Sequence, residues 1–144
     1  MPTLVEQLGK EPRREKVVHD CVELIDAQVK KQGFMIKGAY SAIKAIKKDF
    51  IVETVEAMLD EWLTEIQPHY EKWEATKPSS LPDFMVARGD DIAEDLLKVT
   101  DRRAEKTSHT TAKKMYGKMR GGAKRQVVEA IPDLAKMLEK NLAV

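Results

Sequence analysis

Apolar residues recur at helical spacing along almost the whole chain, and no stretch alternates apolar with polar residues as a half-buried strand must. The clearest case is residues 50–66, where Val52, Val55, Leu59, Trp62, Leu63 and Ile66 share one side at about 100° per residue. An earlier helix is predicted over residues 12–32: Val17, Val18, Cys21, Leu24, Ile25 and Val29 form its stripe, Pro12 suits its first turn and Gly33 supplies the stop. Between them residues 35–48 repeat the pattern through Ile36, Ala39, Ile43 and Ile46. Pro68 is expected to end or kink the third helix, with HYEKWEA carrying it on for two turns before a loop at 76–82.

Ser80 followed by Asp83 reads as a capping pair, and Pro82 fits the first turn of the helix they open. Gly89 interrupts that helix. DDIAEDLLKVTDRRAEK then runs from acidic to basic, which complements a helix dipole. Residues 110–131 and 132–142 complete the chain, with Gly121 and Gly122 offering an alternative break. These elements predict an all-α fold, a single compact bundle of five to seven helices over residues 1–144. Residues 1–10 form a short amphipathic N-terminal piece.

A chain of 144 residues that is 42% apolar can bury a core without staples, and it is too apolar to be disordered throughout. No apolar run is long enough to span a bilayer, and the N-terminus lacks a signal-peptide stretch, so the expected setting is the cytoplasm, with no membrane. The single cysteine, Cys21, excludes an internal disulfide.

The formal net charge of +1 conceals two opposed blocks. Residues 100–126 hold nine Lys or Arg against Asp101 and Glu105, whereas residues 49–71 hold seven acids and no Lys or Arg. On a continuous helix over 110–131, Lys113, Arg120 and Lys124 flank one side of an apolar stripe containing Met115, Tyr116 and Met119. Lys114, Lys118 and Arg125 flank the other. With Arg102 and Arg103 these cations are the candidate binding residues. They would suit phosphate neutralisation with little sequence preference, but the segment has no exposed aromatic for base stacking. A helix-turn-helix fits only in outline, because Ala112 and Gly117 are five apart and Gly121 and Gly122 stand where base-reading side chains belong. Pairing of this basic helix with the acidic helix at 49–71, inside the bundle or across a dimer, is the preferred expectation.

Catalytic and metal signatures are few. The three histidines have no ExxH or HxxE spacing, and the glycines form neither GxGxxG nor GxxxxGK. Glu15, His19 and Glu23 stack in a row but read as a solvated edge, so no metal and no cofactor is assigned. Cys21 sits in an apolar stripe as a small hydrophobe. Arg103 is different: it continues the stripe of Ile92, Leu96 and Val99, so it either pairs with a carboxylate, receives an anionic ligand, or lays its stem on apolar surface and reaches solvent.

AYSAIKAIKKDFI at 39–51 and VTDRRAE at 99–105 resemble small all-helical bacterial proteins of uncharacterised role. The resemblance implies a helical bundle in a bacterial cytoplasm and transfers no catalytic residue. The leading functional expectation is a non-enzymatic interaction or scaffold protein, self-associating or bound to a protein partner. The alternatives are sequence-indifferent nucleic-acid association through residues 102–125 and an anionic-ligand-binding bundle using Arg103.

Overall fold

The computed structural model describes residues 2–143. Among them are eight helices and no strand: α1 (Leu4–Leu8), α2 (Arg13–Lys30), α3 (Phe34–Lys44), α4 (Phe50–Thr76), α5 (Leu81–Ala87), α6 (Gly89–Lys106), α7 (Thr110–Arg120) and α8 (Ala123–Leu142). The four long helices close a ring. α2 packs on α4, α4 on α6, α6 on α8 and α8 on α2, while the backbones of the diagonal pairs stay more than 8 Å apart. The short helices alternate with the long ones in sequence. α3 packs chiefly on α7, α5 packs on α8, and α1 fits mainly against α4 and α2.

The all-α expectation holds, with one helix more than the expected five to seven, and two prolines account for differences in the boundaries. α4 runs unbroken through Pro68, whose ring is exposed, because buried Ile66 and His69 keep the two turns around it docked. α8 likewise continues through Pro132 instead of starting there, held by buried Ile131 and Ala135 on either side. The break falls at Gly121–Gly122, so the stripe predicted over 110–131 is divided. Met115 and Met119 join a small cluster with Ile43, Phe50 and Ala112, whereas Val127 packs on the main core.

α1 is short but firmly placed. Thr3 and Glu6 form a reciprocal capping box, and Leu4 and Leu8 are fully buried. The turn after α1 is clamped by Arg14, which donates to the Gly9 carbonyl at 2.9 Å, to Asp60 Oδ1 at 2.8 Å and to the Glu56 carbonyl at 2.7 Å. Only glycine fits there: a Cβ at residue 9 would lie 2.7 Å from the Val5 oxygen and 2.8 Å from Asp60 Oδ1. At the other end of α8, buried Asn141 donates to Asp20 at 3.0 Å and to the Met137 carbonyl at 2.9 Å, fastening α8 to α2.

Candidate functional site

Protein interiors are normally filled to the density of an organic crystal, with few voids larger than a water molecule. This ring is not. A chamber of about 460 Å³ lies within it, walled by α2, α4, α6 and α8 and covered by α3 and α7, with no lining from α1 or α5. Its floor is made of Val17, Leu59, Leu63, Ile66 and Leu138, all buried. Its walls include Leu24, Ile25, Trp62, Leu96 and Val127, which are only half-buried because they face the empty space. Its rim includes Lys47, Glu53, Arg103, His109 and Lys113, which are exposed, so the chamber opens to solvent on that side.

The α3–α7 cover is fastened by two matching hydrogen bonds. The Tyr40 hydroxyl of α3 donates to Asp26 of α2 at 2.6 Å, and the Tyr116 hydroxyl of α7 donates to Asp101 of α6 at 2.7 Å. Both tyrosines line the chamber. Burial, reinforced by the neighbouring carboxylates, pushes both phenols well above their ordinary titration range, so they remain donors at all physiological pH values. Arg120 adds a forked contact to Asp101 at 2.9 and 3.2 Å.

The sequence-predicted cations divide into two groups. Arg102 reaches Glu61 at 3.8 Å, Arg120 reaches Asp101, Lys124 reaches Glu94 at 3.1 Å and Arg125 reaches Glu129 at 3.7 Å. Arg103, Lys113, Lys114 and Lys118 are exposed and make no ion pair among the described residues. Within the chain, the acidic helix is ion-paired to the basic stretch only through Arg102 and Glu61 among the described residues: α7 does not pack on α4, because the break at Gly121–Gly122 lets it lie on α3 instead. Acids of α6 serve α7 and the start of α8, while Asp60 and Glu53 of α4 pair with Arg14 and Lys47.

Arg103 stands both in the last turn of α6 and at the chamber rim, and makes no ion pair among the described residues. Glu53, the one acid in the lining among the described residues, is taken by Lys47 at 2.6 Å. The chamber is therefore apolar inside and cationic at its mouth. Cys21 lies in its wall, where burial pushes the thiol up to about 12 and keeps it protonated and unreactive.

Residues 4–142 match a family described as a family of unknown function, DUF6918. The chain belongs to that family. Comparison with curated proteins and with solved structures finds no match.

Two polar clusters lie outside the chamber. His69, buried, holds Asp95 at 2.7 Å through Nε2 and accepts from Arg88 Nε at 3.2 Å through Nδ1. With both ring nitrogens engaged, the imidazole has no free base position, and the group joins α4 to α6 and to the residue between α5 and α6. His19, Asp20 and Glu23 bring three donor atoms within 4.8 Å of one another. Glu15, predicted to complete that row, is not among them. Asp20 is already engaged by Lys16 at 2.9 Å and by Asn141, while His19 and Glu23 are exposed. The His69 cluster was not legible from spacing, since Asp95 and Arg88 come from another part of the chain, whereas the stacking of His19 and Glu23 on α2 was, without the Asn141 that engages Asp20 from α8.

Proposed function

We propose that the protein binds a single-chain anionic amphiphile, with the apolar tail in the chamber and the head group at Arg103 and Lys113. The carrying observation is the chamber itself, whose volume falls within the roughly 300–1,000 Å³ typical of small-molecule sites. Its lining is apolar except for a few convergent groups at the mouth. An unfilled apolar space of this size forgoes the dispersion contacts that packing would supply, and a bound tail restores them. At the mouth, Arg103 and Lys113 pair with no anion among the described residues, so a carboxylate or phosphate head is the complementary partner. No residue here is assigned a catalytic role. The reading is of a binding protein in a bacterial cytoplasm.

The scaffold and nucleic-acid readings rank below it. Four of the eight candidate cations are engaged by carboxylates of the same chain, and no geometry singles out a protein partner. The test is native mass spectrometry of protein purified from its own host, followed by titration of delipidated protein with dodecanoic acid and with dodecanol. The proposal expects a co-purifying small molecule, and tighter binding of the acid than of the alcohol, with the difference removed by Arg103→Met. Absence of binding by either compound would end it.

A further inference from the structure

The segments that contain α3 and α7, residues 27–48 and 106–128, hold thirteen of the chain's 25 lysines and arginines and no aspartate or glutamate. Because these two helices pack on each other, the sequence separation disappears and they form one cationic layer over the chamber. Five of the thirteen are paired with acids of the same chain: Lys44, Lys47, Arg120, Lys124 and Arg125. The other eight, among them Lys30, Lys31, Lys37 and Lys114, are exposed and make no ion pair among the described residues.

An apolar projection stands on the same layer. Phe34 is 94% exposed and Met35 67% exposed, at the first turn of α3. Lone exposed apolar residues are ordinary, but here two large ones adjoin, with Lys30 and Lys31 just before them and Lys37 just after. A duplex backbone would be served by the cations alone and gains nothing from an exposed phenylalanine and methionine. An anionic bilayer surface uses both: phospholipid head groups meet the lysines, and the two side chains enter the boundary between head groups and acyl chains. The same α3 supplies Tyr40 and Ile43 to the chamber lining, so the helix that would touch the membrane also covers the apolar space.

We infer that the α3–α7 layer docks on anionic membrane surfaces, with Phe34 and Met35 inserted and Lys30, Lys31 and Lys37 against lipid phosphates. This is peripheral docking: no helix among the described residues is long and apolar enough to cross a membrane.

The test is co-sedimentation of the full chain with vesicles of phosphatidylcholine, either alone or mixed in equal parts with phosphatidylglycerol, alongside a labelled DNA duplex of unrelated sequence. Binding to the mixed vesicles and not to phosphatidylcholine is expected, weakening as salt rises. The Phe34→Ser, Met35→Ser double variant should lose at least about tenfold in vesicle affinity, since two buried apolar side chains are removed from the contact. Each of Lys30→Glu, Lys31→Glu and Lys37→Glu should cost about fivefold or more. All of these positions are exposed, so an unchanged melting temperature verifies that each variant folds. Equal binding to neutral vesicles, or vesicle binding indifferent to the double variant, would overturn the inference. So would DNA binding that outcompetes the vesicles, or a dimer in sedimentation that the double variant dissolves. An Ala130→Phe variant, which fills the chamber, should dock as the parent does, so docking and ligand binding can fail separately.

Discussion

Ala130 lies in α8 on the chamber wall and is half-buried. Replacing it with phenylalanine inserts a ring into space that the fold leaves open. Burying such a side chain contributes about 1.5–3 kcal/mol, from which lower helix propensity subtracts about 0.5 kcal/mol and rotamer freezing a similar amount. The expected net gain is roughly 0.5–2 kcal/mol, or a rise in melting temperature of roughly 2–8 °C for a chain of this size. A filled interior would respond with the opposite sign, because forcing a ring into a packed core costs about 1–3 kcal/mol. Differential scanning calorimetry reads the sign directly, and dodecanoate titration of the same variant should show binding lost. A lower melting temperature would refute the open chamber. A higher one with binding intact would place any ligand elsewhere.

Three further outcomes are expected. Tyr40→Phe and Tyr116→Phe each remove one fastening of the cover and leave a carboxylate short of a donor; each should cost about 1 kcal/mol and raise the ligand dissociation rate, measured by stopped-flow displacement. Gly9→Ala forces apart the Val5 carbonyl, Asp60 and the new methyl group, and should destabilise the chain by about 1–3 kcal/mol in urea unfolding. Burial raises the pKa of Asp95, but hydrogen bonds from His69 and Lys98 and the charge of Lys98 outweigh it and hold the group below its ordinary value of 3.8. A carboxyl lowered by folding adds stability that is present above the unfolded value and lost as pH falls through the folded one. Stability should therefore decline below about pH 4, and Asp95→Asn should flatten that decline in acid unfolding curves.

Much of the fold was legible because helical periodicity reports which face of a helix turns inward. It does not report whether the space there is filled. Val18, Cys21, Val55, Leu59 and Ile66, which the apolar stripes turn inward, are buried. Leu24, Ile25, Trp62, Leu96 and Met119 carried the same signal and are only half-buried; they line the chamber together with buried Cys21, Val55, Leu59 and Ile66, so the site was written in the core pattern and could not be separated from it. Arg103 was the exception. As a cation continuing an apolar stripe it stood out, although the sequence left open whether it pairs internally, receives an anionic ligand or reaches solvent.

Charge pairing was the least legible feature. The acidic run at 49–71 and the basic run at 100–126 suggested each other, yet their partners depend on where α7 turns at Gly121–Gly122. Phe34 gives no periodic signal because it belongs to no stripe, and the lysines around it lie far in sequence from those of 106–128, which only the packing of α3 on α7 brings beside them.

The most direct measurement is calorimetric titration of the delipidated protein with saturated fatty acids of increasing length, each compared with its methyl ester. The account predicts one site per chain and affinity rising by about fourfold for each methylene added until the chamber is full. It also predicts a preference for the acid over the ester of roughly twofold to fivefold, absent in Arg103→Met, Lys113→Met. Affinity independent of chain length, or no heat at all, would contradict it.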